Sequence, residues 1–292
     1  MVARECREPE VPQSSGPDPM EDAEVRRLWR EVLIRLTLIY VFPLVLLGAF
    51  FYLESQTLVR QGRTVQLRGV AEQQAATLDL FLSERLINLS NLIDDSSFAS
   101  EAASASLDSA LESLQQTSDA FVELGLLGED GRMLAYAGPM PSLEGRSYAD
   151  EPWFVSLGES SEAFIITDIY RGFRDQPHFT IAVKRTEGGR TRVLRAVLSP
   201  ERIYEAMVAR SSDRGIRSAL VSAEGIYQVV DPEVAEPLSP SPFRPPEEPR
   251  SGTRDAPPSV RGGLYSYAWL NTSPWALVVH GGTEGWTSGP LG

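Results

Sequence analysis

Residues 36–53, LTLIYVFPLVLLGAFFYL, run without a single charged side chain and are apolar on every face. With residues 32–35 ahead of it, the run is about the length that crosses a ~30 Å hydrocarbon core. Arg35 can reach the headgroups, Tyr40 and Tyr52 suit the interfaces, and Pro43 is better tolerated in lipid than in water. A buried soluble helix would show a polar face, and this run has none. A cleavable signal peptide would have a core of roughly 7–15 residues and a small-residue cleavage site. Residues 32–53 are therefore expected to be an uncleaved transmembrane helix.

The pattern then changes period. Over residues 54–94 there is no proline, and Leu78, Leu82, Leu86, Leu89 and Ile93 recur at steps of three and four, with Val70, Ala71 and Ala75 on the same face. That is an amphipathic helix of roughly 60 Å at 1.5 Å per residue. A serine-rich joint and a second short helix, carrying Leu107, Leu111 and Leu114, complete a stalk over residues 54–118. The leucine stripe fits either a homodimer along this stalk or packing on the chain's own core.

From Phe121 the period becomes two. FVELGLL, the turn GEDGR and MLAYAG read as a hairpin. A short aromatic helix at residues 150–157 follows, then strands at residues 163–170, 178–185 and 191–198. This order predicts an antiparallel sheet with helices on one face. Pro200 opens another helix at the position where proline costs least. The pattern then restarts with a hairpin around Glu224 and Gly225, and closes with GLYSYAWL and WALVVH. Between them, residues 231–258 are proline-rich and are expected to be irregular and exposed.

Composition narrows the function. Hydrophobic residues at 42% allow a packed core, and a net charge of −13 argues against a nucleic-acid partner. Cys6 is the sole cysteine, so intramolecular disulfides and cysteine metal sites are excluded; His178 and His280 are too few for a histidine metal centre. No cofactor motif and no nucleophile, phosphate-binding or zinc-hydrolase motif occurs, so the chain is not expected to be an enzyme. Residues 147–185 bring the densest set of polar and aromatic groups into one small span. Glu129 and Asp130 read as turn residues, Trp275 as hairpin packing, and His280 as chemically idle.

Three motifs, YADEPWF, TDIYRGFRDQPHFTIAVKR and YAWLNTSPWALVV, give the chain a resemblance to the double Cache (PAS-like) extracytoplasmic sensor domain over residues 32–280. The middle motif is most similar to those of bacterial membrane-bound sensor histidine kinases. The resemblance implies an α+β chain with two tandem PAS-like antiparallel-sheet modules, a membrane-distal one over residues 119–210 and a smaller membrane-proximal one over 211–282. It also implies a small-molecule pocket between the first sheet and its cover, lined by Tyr148, Trp153, Phe154, Asp168 and Tyr170. Bland readings stand beside these: Trp153 as a core aromatic, Asp168 as a loop cap, and His178 as a strand-start residue rather than a ligand contact. Amino-acid-sensing members carry an arginine just before the tryptophan, where this chain has Glu151 and Pro152, and an acid after the fifth strand, where it has Ser199. Arg171 or Arg174 could replace the missing cation, and no amino acid ligand is predicted.

The implied function is extracytoplasmic small-molecule sensing for a two-component histidine-kinase-type receptor. The alternatives are the input of a chemoreceptor or diguanylate cyclase, or a membrane-anchored interaction protein with no ligand. Residues 1–31 are expected to be a disordered cytoplasmic tail, since Arg26, Arg27, Arg30 and Arg35 lie nearest the membrane. Residues 283–292 are expected to be a tail left by truncation before a second span and kinase core. The expected place is the bacterial inner membrane, crossed once, with the sensor modules outside.

Overall fold

The computed structural model describes residues 19–94, 103–174, 176–208, 216–260 and 263–281. Residues 1–18 of the expected tail, much of the serine-rich joint and the ending from residue 282 lie outside these. Helix α1, Pro19–Ile93, starts inside the segment expected to be a disordered tail.

The chain divides into two units, Met1–Gln61 and Gly62–Gly292. In the first, Arg26–Leu53 is a helical segment long and apolar enough to cross a membrane by length and composition. All its side chains are exposed, and Pro43 sits within the helix. An apolar surface of that extent is costly in water and satisfied in lipid.

The second unit holds two five-stranded antiparallel sheets. The first is built from β1 (Phe121–Gly128), β2 (Met133–Ala137), β3 (Phe164–Ile166), β4 (Phe179–Glu187) and β5 (Arg190–Leu198), in the order β2-β1-β5-β4-β3. The second is built from β6 (Ile216–Ser222), β7 (Tyr227–Val229), β8 (Ser251–Asp255), β9 (Leu264–Trp269) and β10 (Trp275–Gly281), in the order β7-β6-β10-β9-β8. Both sheets thus follow one scheme: a hairpin, an excursion, and three strands that return beside the first. The β1–β2 turn needs Gly131, at φ +75°, because a Cβ there would lie 2.6 Å from the Ala149 nitrogen.

Alternation along the strands assigns the faces. Leu124, Leu126, Ile181, Val183, Leu194 and Ala196 of the first sheet pack on Leu78, Leu82 and Leu89 of α1 and on Leu107 and Leu111 of α2 (Ala103–Thr117). The same core continues into the second sheet through Leu220, Trp275, Leu277 and Val279. The leucine stripe of α1 is therefore spent on the chain's own core. On the opposite face of the first sheet, Leu127, Ala182 and Val193 meet Trp153 and Leu157 of α3 (Pro152–Glu159). This corrects the expectation of helices on one face only. The run Val193–Leu198 of β5 is buried throughout, as a strand covered on both sides must be. The C-terminal end of α3 is held by Lys184, whose Nζ donates to Leu157 O at 2.7 Å and to Ser160 O. A cation on the last carbonyls also opposes the helix dipole.

In the second sheet the equivalent outer face is mostly aromatic and aliphatic, with His280 buried against Phe243. Tyr227, Tyr265 and Tyr267 pack under Val230, Phe243 and Val260. Phe243 belongs to the proline-rich stretch expected to be irregular and exposed, and it is fully buried. The same stretch contains β8, an edge strand paired only with β9, and accepts a hydrogen bond at Pro246 O from Trp269 Nε1 at 2.7 Å. Residues 231–258 are a cover. Helix α4 (Pro200–Val208) lies between the sheets in sequence and buries Ile203 and Met207.

Candidate functional site

The site is built where the loop between β3 and β4 meets the outer face of the first sheet. Tyr170 and His178 close the loop with a backbone pair, Tyr170 N to His178 O at 2.9 Å and His178 N to Tyr170 O at 3.0 Å. Inside it, Gly172 has φ +50°, and a Cβ there would come 2.9 Å from Tyr170 Cε2 and 3.0 Å from His178 Cε1. The short 3-10 turn Gly172–Arg174 then lays Phe173 edge-on against Tyr148, with ring centroids 5.5 Å apart. The Arg146 guanidinium lies 3.7 Å from the centroid of the Phe173 ring, a cation–π cap on the loop.

Below Phe173 is a small cavity. Leu143, Tyr148 and Glu151 line it from the segment before α3, Tyr170, Gly172 and His178 from the loop, and Arg195 from the sheet. Its free volume is about 10 Å³, enough for one water molecule.

Arg195 forms the floor. On β5 it stands opposite Gly125 of β1 and Ala182 of β4, the small neighbours that leave room for a guanidinium. It is 3% exposed, and Glu123 beside it on β1 is 1% exposed. Their closest approach is Arg195 Nη2 to Glu123 Oε1 at 3.3 Å, and Arg195 Nη1 donates to the Tyr148 hydroxyl at 3.3 Å. Tyr136 donates to Glu123 Oε2 at 2.7 Å and in turn accepts from Met140 N at 3.0 Å. Arg195 Nε has no hydrogen-bond partner. Two desolvated charges at this separation are held loosely, and the remaining donor is costly unless something else meets it. Burial also pushes the Tyr148 hydroxyl above its ordinary range, against the opposing pull of Arg195.

The expected residues divide. Tyr148, Tyr170 and His178 come together at the cavity; Tyr170 OH pairs with Thr180 Oγ1 at 2.9 Å, and His178 Nδ1 lies 2.8 Å from Gln176 O. Trp153 and Phe154 do not line it: Trp153 is buried beneath Tyr148 with its Nε1 unpartnered, and Phe154 packs edge-on against Trp153. Asp168 is engaged elsewhere, its Oδ1 accepting from Trp275 Nε1 of the second sheet at 2.7 Å. Arg171 is exposed and off the lining, and the side chain of Arg174 lies outside the described residues. The sequence reading passed over Arg195 and Phe173 and placed no lining role on Glu151. A single arginine between Val193 and Val197, in a strand apolar on both faces, was the available signal.

Neither a family model nor a curated protein matches the sequence. Solved structures do. The chain is similar to an extracellular ligand-binding receptor from Desulfohalobium retbaense, with a TM-score of 0.60 and 12% identity over 74% of this chain and 40% of that one. It thus spans well under half of that receptor. It is similar also to the ligand-binding domain of the Pseudomonas fluorescens chemoreceptor CtaA, solved with L-isoleucine, with a TM-score of 0.60 and 20% identity over 79% of this chain and 96% of that one. A third is the extracellular domain of rpHK1S-Z16, a protein described as a histidine kinase, with a TM-score of 0.58 and 13% identity over 77% and 95%. The fold is therefore that of the double Cache-type extracellular sensor domains, an α+β arrangement of two tandem PAS-like sheets.

Proposed function

We propose that the chain is the extracytoplasmic input domain of a membrane receptor, binding a small molecule between the first sheet and the α3–loop cover. The observation that carries this is the floor and its cover: a buried guanidinium with an unmet donor, under a loop held shut by one half-exposed ring. Tyr148, Tyr170 and His178 would contact the ligand, with Arg195 below and Glu151 at the side. We assign the receptor to the histidine-kinase type, as the motif resemblance and one of the three neighbours suggest; a chemoreceptor input is the alternative. The reading is of a binding module, not an enzyme.

The test is a thermal-shift screen of the full chain in detergent against amino acids, organic acids and amines. A ligand should raise Tm in proportion to RT ln(1 + [L]/Kd), and Arg195→Met should abolish the shift. No shift from any compound, with Phe173 still seated on Tyr148, would leave the second reading, an interaction protein without a ligand. The one-water size of the cavity favours that second reading.

Two further assignments belong here. Arg26, Arg27, Arg30 and Arg35 favour a cytoplasmic N-terminus, with single-pass anchoring through α1. A homodimer along α1 would have to use the face opposite the leucine stripe. There Gly62, Gly69 and Ala76 recur every seven residues beside exposed Val65, Leu80 and Ile87, a repeat suited to a supercoiled pair. Sedimentation of the full chain checks it: Gly69→Arg should convert dimer to monomer.

A further inference from the structure

The residues on either side of the pocket loop meet one tryptophan of the other sheet. Asp168, just before the loop, accepts from Trp275 Nε1 at 2.7 Å, and Phe179, just after it, packs edge-on against the Trp275 ring at 5.4 Å. Between them in sequence, Ile169 N donates to Gln228 Oε1 of β7 at 2.7 Å. The loop that carries Tyr170, Phe173 and His178 is therefore anchored to the second sheet as well as to its own, where Thr167 N donates to Thr180 O at 3.0 Å.

Trp275 is in turn part of a tight hairpin. Leu270 N donates to Trp275 O at 2.9 Å, so the residues between them move with the tryptophan. Those residues grip α1. Asn271 N and Thr272 N donate to Asp79 Oδ1 at 2.8 and 3.0 Å, Thr272 Oγ1 donates to the same oxygen at 2.8 Å, and Asn271 Nδ2 donates to Oδ2 at 3.0 Å. Four donors on one carboxylate fix the hairpin to the helix face. The path from loop to helix is thus continuous, and each link is a direct contact.

We propose that Asp168, Trp275 and Asp79 form a relay that ties the seating of the pocket loop to helix α1. This rests on the sensing reading of the same pocket: displacement of Phe173 by a ligand would pull on Asp168 and Phe179, and Trp275 would pass the strain to Asp79. Trp275 is then a positioning residue and touches no ligand. Linkage makes such coupling reciprocal, so it can be read from either end without a ligand.

The experiment is amide hydrogen exchange on the full chain in detergent micelles. Asp79→Ala should accelerate exchange across residues 168–180, and Phe173→Ala should accelerate it at Asn271 and Thr272, each by roughly 5- to 150-fold. Trp275→Phe keeps an aromatic ring beside Phe179 but removes the N–H together with part of the buried ring, so it should loosen both ends if Asp79→Ala does not fold. Asp168→Asn keeps an acceptor oxygen and should restore the protection lost in Asp168→Ala. Arg185→Ala, which breaks only the exposed pair with Asp94 at 2.8 Å, should change neither segment. Exchange over 168–180 that stays at the parent rate in both Asp79→Ala and Trp275→Phe would overturn the relay. That outcome would leave the sensing reading standing, just as an empty thermal-shift screen would leave the relay standing.

Discussion

The outer faces of the two sheets are closed in opposite ways on the same strand order. The first sheet places Glu123 and Arg195 there, under a loop whose sealing ring, Phe173, is 40% exposed. The second places Tyr227, Tyr265 and Tyr267 there, under a connector whose sealing ring, Phe243, is fully buried. One cover is therefore costly to lift and the other is cheap. The difference comes from side-chain chemistry rather than topology: aromatic surface gains free energy by exclusion of water, whereas a buried ion pair only breaks about even. A site that must open belongs over the second kind of floor.

The comparison can be broken most sharply at its charged end. Arg195→Met leaves Glu123 buried without its cation and should destabilise by about 3–5 kcal/mol. The double variant Arg195→Met, Glu123→Gln should recover most of that loss, as read by chemical denaturation. A near-equal loss in the single and double variants would mean that the pair is not coupled. On the other sheet, Phe243→Ala should cost about 3–5 kcal/mol through the cavity it leaves. Its counterpart Phe173→Ala forfeits the edge contact with Tyr148 and the Arg146 cation–π cap, together about 1–2.5 kcal/mol. If the two aromatic truncations cost the same, the distinction between the covers fails.

Gly172 gives a smaller effect. Alanine there must hold a left-handed conformation and press on Tyr170 and His178, for a loss of about 1–2 kcal/mol. The smallest expected effect is at Asp168. Burial raises its carboxyl above the ordinary value, with the Trp275 hydrogen bond opposing. A raised acid contributes stability that is complete below its unfolded value of about 3.9 and is lost as pH rises through the folded one. Asp168→Asn should remove that part of the pH dependence while keeping the acceptor for Trp275. A stability curve across pH 4–7 identical to the parent's would refute this.

How far the sequence could be read follows from the same contrast. Nine of the ten strands announce themselves by apolar runs and turn glycines, because each buries at least one face. The exception, β8, is SGTRD, a polar edge strand recruited by β9, and nothing in its own residues asks for a ladder. Phe243 was illegible for a related reason: prolines around it predict an exposed path, while burial is decided by the tyrosines it meets. Tyr148, Tyr170 and His178 were legible as a cluster because one short span carries them. Arg195 was not, since its role depends on Gly125 and Ala182 being small on the neighbouring strands. Asp168 pointed to a ligand in sequence because its partner, Trp275, lies more than a hundred residues away.

Lys184 is the only lysine in the chain, and its amine is held by the carbonyls that end α3. The molecule therefore carries a chemical gauge of its own lid. Amine-selective acylation has just two targets, the N-terminus and Lys184, and the second is shielded for as long as α3 stays seated. The ratio of the two adducts would report how often that helix lifts, without any added label.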